Sequence, residues 1–359
     1  MDTSQFIPSY SQLSPKGGSV RWQAPSNIAL VKYWGKTDVQ IPMNPSISFT
    51  LSTCRTETQL DFAPKSGASA WIKVLLDGEE QEAFIPKIET FFQRIKEYLP
   101  FLEAYQFVVK THNSFPHSSG IASSASGMGA LAACLVAMEE QLSGQTMEAS
   151  ARSQKISFLA RLGSGSACRS MEGPLVVWGR HPAIAGSSDL YGVPYGHSIA
   201  PVFENYRDSI LLVDVGEKQV SSTAGHALMH GHPFSEARFA EANKHLTQLS
   251  EVLQVGDLDG FIELVELEAL QLHAMMLTSS PYFILMKPNT LAIINAVWDY
   301  RKQTGSKLCF TLDAGANVHL LYPDTEADEV RRFIQQELAQ YCKDGAFIHD
   351  RCGIGISTF

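Results

Sequence analysis

Residues 118–127 (SSGIASSASG) form a run of small side chains that leads into a helical pattern. Small side chains let a backbone wrap around a polyphosphate, and the first turn of a helix adds unpaired N–H groups and a favourable dipole. The hydroxyls of Ser123 and Ser124 can add contacts to phosphate or to Mg2+. A serine-rich turn that caps the helix is the alternative interpretation. The run is not a Walker A loop, because no Gly-Lys-Ser/Thr follows it.

A second small-residue segment, residues 164–169 (SGSACR), ends in Arg169. The guanidinium group is a rigid fork that binds a carboxylate or phosphate through two hydrogen bonds, and nearby serines can complete an anion site. The alternative is an ordinary loop with a surface salt bridge. Two such segments in one chain favour anion binding.

Lys32 lies in a strongly apolar stretch, residues 27–36 (NIALVKYWGK). Strand alternation places it on the same face as Leu30 and Trp34, so its ammonium group needs an acid or a ligand. A lysine that extends its head group to solvent from a strand end is equally compatible with the pattern.

Asp313 stands among Phe310, Leu312 and Ala314 and is followed by a glycine that permits a sharp turn. A carboxylate partly removed from water becomes a better hydrogen-bond acceptor or base, especially beside a lysine. It could equally cap a turn. Spacing alone does not pair it with Lys32.

Two other constellations are weaker. His226, His230 and His232 include a pair spaced for zinc, but no Glu or Cys partner accompanies them. A Ser-His-Asp hydrolase is disfavoured because the chain has no G-x-S-x-G segment between a strand and a helix.

Apolar periodicity predicts a mixed α+β pattern without internal repeats. Helices are predicted over residues 87–99, from about 125, and over 147–161, 236–253, 258–276, 290–303 and 326–341. Strands are predicted over residues 107–111, 174–178, 210–215, 307–312 and 318–322, with a hairpin turn at Asp77 and Gly78. The Gly- and Pro-rich connection over 179–205 contains the expected domain boundary.

Composition narrows the class of protein. The chain has 359 residues, a formal net charge of -9 and 45% apolar residues, which predicts two well-packed domains and disfavours nucleic-acid binding. Its six cysteines form no C-x-x-C pair and fit reduced thiols in the cytoplasm. No stretch is long and apolar enough to span a membrane, and residues 1–18 do not resemble a signal peptide, so we expect a soluble protein.

Four segments, taken in order, resemble the mevalonate diphosphate decarboxylase (diphosphomevalonate decarboxylase) family of the GHMP kinase superfamily. Residues 27–36 are similar to the family's N-I-A-x-x-K-Y-W-G-K, and residues 120–127 to its G-x-A-S-S-A-x-G phosphate loop. Residues 163–170 match G-S-G-S-A-C-R-S, and residues 313–317 match D-A-G-x-N. Weaker similarity at residues 42–48 and 220–223 extends the resemblance over most of the chain.

The resemblance implies an α+β, two-domain GHMP kinase fold. Residues 1–200 would form a domain like ribosomal protein S5 domain 2, residues 201–359 a ferredoxin-like domain, and the active site would lie between them. It implies ATP-dependent conversion of 5-diphosphomevalonate to isopentenyl diphosphate, ADP, phosphate and CO2. It also implies a homodimer.

The resemblance implies three catalytic residues. Asp313 would contact the substrate's 3-hydroxyl, Lys32 would neutralise charge beside it, and Arg169 would bind the substrate carboxylate. The residues expected in the substrate pocket are Tyr33, Lys36, Ser164, Ser166 and Arg169. Those expected to bind ATP are Ser119, Gly120, Ala122, Ser123, Ser124 and Ser222. Mg2+ would be held mainly through ATP phosphates, with Ser124 as a further candidate ligand.

An alternative substrate stays open at this point. Residues 117–120 (HSSG) stand where the family has Thr-x-x-Gly, so a sister enzyme acting on 5-phosphomevalonate or mevalonate is the competing hypothesis. A non-catalytic ligand sensor is a third interpretation, which the presence of Asp313 disfavours.

Overall fold

The computed structural model describes residues 2–8, 10, 13–66, 71–116, 121–216 and 220–359, and their longer strands form two sheets, one in each half of the chain. The strands are β1 (Gly18–Val31), β2 (Lys36–Thr37), β3 (Ile41–Pro42), β4 (Ser46–Pro64), β5 (Ile72–Leu76), β6 (Glu79–Glu80), β7 (Tyr105–Asn113), β8 (Leu175–Trp178), β9 (Val193–Pro194), β10 (Arg207–Leu211), β11 (Cys309–Thr311), β12 (Val318–Tyr322) and β13 (Phe347–Arg351). The helices are α1 (Ile85–Ile95), α2 (Ser123–Ser143), α3 (Ala149–Gly163), α4 (Ser222–Ala227), α5 (Ser235–Val255), α6 (Leu258–Leu277), α7 (Pro288–Thr304) and α8 (Ala327–Phe333). No helix of this described part is long and apolar enough to cross a membrane.

The long strand β4 organises the first sheet. Its buried and partly exposed residues alternate over the second half of the strand, as expected for a sheet with one face on the core. Strand β1 runs antiparallel along it, from Gly18 opposite Phe62 to Val31 opposite Ile47. A register shift between Ala29 and Val31 bends β1 just before Lys32. The chain leaves the ladder after Val31, and Lys32 follows outside the strand.

Helix α2 packs closely against this sheet because its middle consists of small residues. At Gly129, a Cβ atom would come within 2.5 Å of the Met171 side chain and 3.1 Å of the Ala24 Cβ, so a larger side chain would require these neighbours to shift. Apolar residues of α2, α3 and α1 share one core cluster with β1, β4, β5 and β7. This packing fixes the start of α2, at Ser123, near the end of the sheet.

The second sheet is antiparallel, with the strand order β11-β12-β10-β13. The helices α5–α7 follow β10, and α8 connects β12 to β13. This chain order and strand order give the ferredoxin-like arrangement that was predicted. The turn between β11 and β12 carries Asp313.

Asp350 of β13 joins the two halves of the molecule. Its carboxylate is buried and accepts hydrogen bonds from three backbone N–H groups of β4, those of Ser52 at 2.9 Å, Thr53 at 2.8 Å and Cys54 at 2.7 Å. These N–H groups lie where β4 passes from one set of partner strands to the next. One side chain thus accepts from three consecutive main-chain donors at this gap in the ladder, including the buried N–H of Cys54.

Most predicted elements are confirmed, with shifted bounds. The helix predicted over 87–99 is α1, which begins at Ile85 because Pro86 is favoured in a first helical turn. The strand predicted over 210–215 is β10, which ends at Leu211 with its two partner strands. The hairpin turn at Asp77 and Gly78 is confirmed, since both residues have positive φ.

One predicted helix is wrong in detail, and several strands, among them β1, β4 and β13, were given no predicted bounds. The helix expected over 326–341 is α8 followed by a π-helical turn at Ile334–Leu338 and a 3-10 turn at Ala339–Tyr341. Ile334 and Leu338 still face the core, so apolar spacing alone does not reveal the change in hydrogen bonding. Strand β13 is a polar sheet edge, and its sequence has no clear apolar alternation.

We expect Asp350→Ala to lower the free energy of unfolding by roughly 2–4 kcal/mol, because three backbone donors lose their acceptor. Asp350→Asn, which keeps one acceptor oxygen, should cost less. Urea denaturation measures both effects. The control is Asp299→Ala, since Asp299 is exposed on α7. An Asp350→Ala variant as stable as this control would contradict the joining role.

Candidate active site

A cleft of about 850 Å³ opens between the two halves of the molecule, bordered by the end of β1, the start of α2 and the β11–β12 turn. Its lining includes every predicted site residue within the described part of the chain: Lys32, Tyr33, Lys36, Ala122, Ser123, Ser124, Ser164, Ser166, Arg169, Ser222 and Asp313. The predicted ATP-binding residues Ser119 and Gly120 lie outside the described residues. Segments far apart in sequence therefore meet at one cleft.

The ammonium group of Lys32 contacts the carboxylate of Asp313. The Lys32 Nζ lies 3.1 Å from the Asp313 Oδ1, and the two side chains are 1% and 31% exposed. Burial lowers the pKa of Lys32, while the nearby negative charge of Asp313 opposes this change. The ammonium group of Lys32 is thus fully buried, whereas the Asp313 carboxylate that it contacts is partly exposed in the cleft.

The main chain of Lys32 is held by a buried cluster. Glu268 of α6 accepts the Lys32 N–H at 2.7 Å, and Arg238 of α5 donates to both Glu268 oxygens at 2.6 and 3.0 Å. The Lys32 carbonyl accepts from Asn44 at 2.9 Å and from Arg238 at 3.3 Å. Burial alone would raise the pKa of Glu268, but a hydrogen bond from His245 and the charge of Arg238 outweigh it and lower this pKa.

Glu268 and Arg238 were not among the predicted site residues, because their role lies in contacts with the Lys32 backbone that no local motif indicates. The sequence nevertheless contained a signal that could have identified Glu268. Glu268 falls between Val265 and Leu272 at helical spacing, which places a carboxylate on the apolar face of α6. A charge on such a face requires a buried partner.

The backbone of the turn that carries Asp313 is also held by hydrogen bonds. His273 of α6 donates from Nε2 to the Asp313 carbonyl at 3.1 Å, and the Gly315 N–H donates to the same oxygen at 2.7 Å. Burial lowers the pKa of His273 to about 4, so this imidazole is neutral near pH 7. The Thr290 hydroxyl donates to the carbonyl of Ala316 at 2.6 Å. The backbone that carries Asp313 is thus held at several points.

Arg169 is buried, so the interpretation as a loop with a surface salt bridge is wrong. It ends a 3-10 segment, Gly165–Ser170, donates to the Ser46 hydroxyl at 2.6 Å and lies over the Trp178 ring at 5.8 Å. Within the described residues, no carboxylate lies at salt-bridge distance from Arg169, and its Nε has no hydrogen-bond partner. A buried guanidinium group without an acidic partner is suited to binding an anionic ligand.

The start of α2 lies at the other side of the cleft. Ala122 has a left-handed backbone, with φ of 40°, and leads into the first turn at Ser123. Lys87 of α1 donates to the Ser124 hydroxyl at 2.9 Å, which brings a cation to this turn. The sequence analysis did not predict a role for Lys87, because its position is typical of a lysine on the surface of a helix. The helix N-terminus and the cation together favour phosphate binding.

The cleft is strongly cationic. The charged side chains among its described lining residues are five cations, Lys32, Lys36, Lys87, Arg94 and Arg169, and one carboxylate, Asp313. Of these cations, only Lys32 forms a salt bridge within the described part of the chain. The cleft therefore contrasts with the chain's overall charge of -9 and is suited to more than one anionic group.

The three clustered histidines do not converge on one point. His226 Nδ1 accepts the Gly35 N–H at 2.9 Å, His230 Nε2 bonds the Lys36 carbonyl at 2.9 Å, and His232 Nε2 bonds the Met275 carbonyl at 3.1 Å. No group of three or more His, Cys, Asp or Glu side chains arranged for a metal ion occurs in the described residues. The zinc interpretation gains no support.

Comparisons with known proteins agree with this geometry. The family model for the diphosphomevalonate decarboxylase-like N-terminal domain matches residues 24–189, and that for the mevalonate 5-diphosphate decarboxylase C-terminal domain matches residues 209–352. The diphosphomevalonate decarboxylase of Ganoderma lucidum is 30% identical over 342 residues, which cover 88% of this chain and 81% of that protein. The rat enzyme is 28% identical over 339 residues, 89% of this chain and 80% of its own length.

Solved structures give the same result. The mevalonate diphosphate decarboxylase from Staphylococcus aureus superposes with a TM-score of 0.81 at 26% identity, covering 95% of this chain and 98% of that one. The complex of MDDEF with MVAPP, AMPPCP and magnesium has a TM-score of 0.80 at 28% identity with the same coverage. The fold is therefore the predicted GHMP kinase fold, and the chain belongs to the diphosphomevalonate decarboxylase family.

Proposed function

We propose that the cleft binds ATP beside 5-diphosphomevalonate, and that the protein converts them to isopentenyl diphosphate, ADP, phosphate and CO2. The observation that carries this function is the charge of the cleft, whose described lining includes five cations and the single carboxylate of Asp313. ATP and a diphosphorylated carboxylic acid together carry several negative charges, and four of the five cations form no salt bridge with a described residue. The family relationship supports the same reaction.

The first chemical step is phosphoryl transfer. The substrate's 3-hydroxyl oxygen attacks the γ-phosphorus of ATP, its proton passes to the Asp313 carboxylate, and ADP leaves with the electron pair of the broken P–O bond. Lys32, 3.1 Å from Asp313, neutralises negative charge that develops there. Mg2+ bound with ATP would neutralise charge on the nucleotide phosphates, and Ser124 is the candidate residue to hold it.

The second step is loss of phosphate and CO2. The bond from C3 to the phosphorylated oxygen breaks, and phosphate takes its electron pair. The electrons of the bond between the carboxylate and C2 then form the C2–C3 double bond, which releases CO2. Arg169 orients the carboxylate, since its buried guanidinium group has no acidic partner among the described residues.

The nucleotide phosphates are assigned to the start of α2. Its backbone N–H groups, the hydroxyls of Ser123 and Ser124 and the ammonium of Lys87 form one donor surface, with Ala122 at the entry. Ser124 is also a candidate ligand for the Mg2+ that accompanies ATP. Ser222, at the start of α4, lines the same cleft and is assigned to the nucleotide. Ser119 and Gly120 are also assigned to the nucleotide, and this assignment rests on the sequence alone.

The phosphorylated end of the substrate is assigned to the part of the cleft lined by Lys36 and residues 164–166. Lys36 and Arg94 supply positive charge there, and Ser164 and Ser166 supply hydroxyl groups. The Tyr33 hydroxyl is enclosed beside Gly165 and has no hydrogen-bond partner among the described residues. An enclosed polar atom of this kind favours a ligand that completes its hydrogen bonding.

The number of phosphates on the substrate is tested directly by a comparison of three compounds. We expect release of ADP and CO2 in equal amounts with 5-diphosphomevalonate, and much lower rates with 5-phosphomevalonate and mevalonate. ADP release without CO2 from mevalonate would instead assign a 3-kinase. Tight ATP binding without ADP release from any of the three would assign a ligand sensor.

Three further features belong to the proposal. The domain boundary is placed at residues 200/201, which the unmatched stretch between the two family models supports. The protein is proposed to act in the cytoplasm, consistent with six unpaired cysteines. It is proposed to be a homodimer that needs neither nucleic acid nor a membrane for activity, and light scattering measures the assembly.

Asp313→Asn should lower turnover about a thousand-fold or more, because an amide does not accept the hydroxyl proton. ATP affinity should stay nearly unchanged, since the nucleotide phosphates are bound at α2. Steady-state ADP release and nucleotide titration measure the two effects. Asp324→Asn, at a carboxylate 51% exposed, serves as the control. Near-normal turnover of Asp313→Asn would remove Asp313 from the mechanism.

Arg169→Lys should slow decarboxylation strongly, because a single ammonium group does not replace a guanidinium fork. The expected loss is about 10- to 100-fold in kcat/KM, equivalent to one or two charge-assisted hydrogen bonds. Arg180→Lys is the matched control, since Arg180 is 73% exposed. An unaltered rate of CO2 release from Arg169→Lys would count against carboxylate binding.

Glu268→Gln should reduce both stability and turnover, because Lys32 loses a charged acceptor and Arg238 is left without its carboxylate. Breaking a buried pair of this kind costs about 3–5 kcal/mol in the free energy of unfolding. The matched control is Glu266→Gln on the same helix, where Glu266 pairs with Arg301 and does not contact Lys32. Turnover per folded molecule should fall at least tenfold for Glu268→Gln and stay unchanged for Glu266→Gln. Equal turnover in both variants would refute the positioning role.

A further inference from the structure

The imidazole of His226 lines the cleft, yet no step described above uses it. It lies on α4 and packs between two aromatic rings, with centroid distances of 4.3 Å to Tyr33 and 4.5 Å to Trp34. These contacts hold the ring plane in one orientation. The residue is therefore a fixed part of the cleft wall.

The hydrogen bonding of this ring determines which nitrogen carries its proton. The Gly35 N–H donates to His226 Nδ1 at 2.9 Å, so Nδ1 is an acceptor and the neutral ring carries its proton on Nε2. Burial, followed by the positive charges of Lys36 and Arg169, lowers the pKa of His226 to about 3. The ring is thus a neutral N–H donor near pH 7.

Within the described residues, the ring of His226 forms one hydrogen bond, at Nδ1, and its Nε2 donor contacts no acceptor. It is not enclosed in the interior, because the residue is 8% exposed and contributes to the cleft lining. A donor that is fixed, neutral and unsatisfied at a cleft wall is suited to an oxygen acceptor of a ligand. The same donor in an apolar wall would lose hydrogen bonding without compensation.

The surrounding charges indicate the kind of acceptor. The ring of His226 contacts Gly35, the residue directly before Lys36, and both Lys36 and Arg169 line the same cleft. Tyr33, which stacks on the ring, belongs to the wall proposed for the phosphorylated end of the substrate. A neutral donor here adds a hydrogen bond to phosphate without adding charge to an already cationic region.

We propose that His226 donates a hydrogen bond from Nε2 to a phosphate oxygen on C5 of the substrate, and so helps the protein to select phosphorylated over unphosphorylated mevalonate. This inference rests on the proposed function. His226 is here a substrate-binding residue and takes no part in proton transfer.

Two substitutions separate the donor from the rest of the ring. An Asn side chain can accept the Gly35 N–H in place of Nδ1 but does not reach the position of Nε2, whereas a Gln side chain can place an N–H donor near that position. For His226→Asn we expect the KM for the phosphorylated substrate to rise about 10- to 100-fold, as for a lost hydrogen bond to a charged group. The KM for ATP and kcat should change less than threefold. His226→Gln should recover at least part of the substrate affinity.

His197→Asn, at an exposed histidine, is the control, and the melting temperature of each variant reports on folding. An unchanged substrate KM in His226→Asn, or an equal rise in His226→Asn and His226→Gln, would overturn the proposal. If the wild-type protein turns over none of the three mevalonate compounds, the proposed function fails, and calorimetric titration with inorganic diphosphate then tests His226 independently. Weaker binding of diphosphate to His226→Asn than to the wild type would support the donor role, and equal binding would refute it.

Discussion

The ammonium group of Lys32 is buried at the meeting point of the two halves of the molecule, and its contact with Asp313 makes that burial tolerable. A buried charge is costly unless an opposite charge lies close to it. The two residues come from the end of β1 and from the β11–β12 turn, so the pair forms only when both sheets are correctly placed. The hydrogen bonds of Glu268 to the Lys32 backbone and of Asp350 to β4 maintain that placement.

The electrostatics of the cleft follow from this arrangement. Asp313 is the single carboxylate among the described lining residues, and it is engaged by Lys32, so the remaining cations face the cleft without an acidic partner in the described part of the chain. In the protein without ligands these cations repel one another, and the binding of anionic ligands relieves that repulsion. This accounts for a cationic site in an acidic protein.

The sequence predicted the fold class, most elements and the chemically unusual residues, because Lys32, Arg169 and Asp313 are charged groups in apolar or small-residue settings. It did not predict Lys87, Arg94, Arg238 or Glu268, whose importance depends on contacts between distant segments. It also predicted no definite role for His226, because that role depends on which ring nitrogen accepts the Gly35 N–H. Hydrogen-bond direction and tertiary pairing are properties of the folded chain and are not encoded in local periodicity.

The account depends most on transfer of the γ-phosphoryl group to the substrate's 3-oxygen before CO2 is lost. Substrate labelled with 18O at the 3-hydroxyl, incubated with ATP and the protein, tests this transfer through mass spectrometry of the inorganic phosphate released. The account predicts that each phosphate released with CO2 carries the label, because the 3-oxygen moves to phosphorus and the C–O bond then breaks. Unlabelled phosphate accompanying CO2 would show that ATP is hydrolysed separately and would contradict the proposed chemistry.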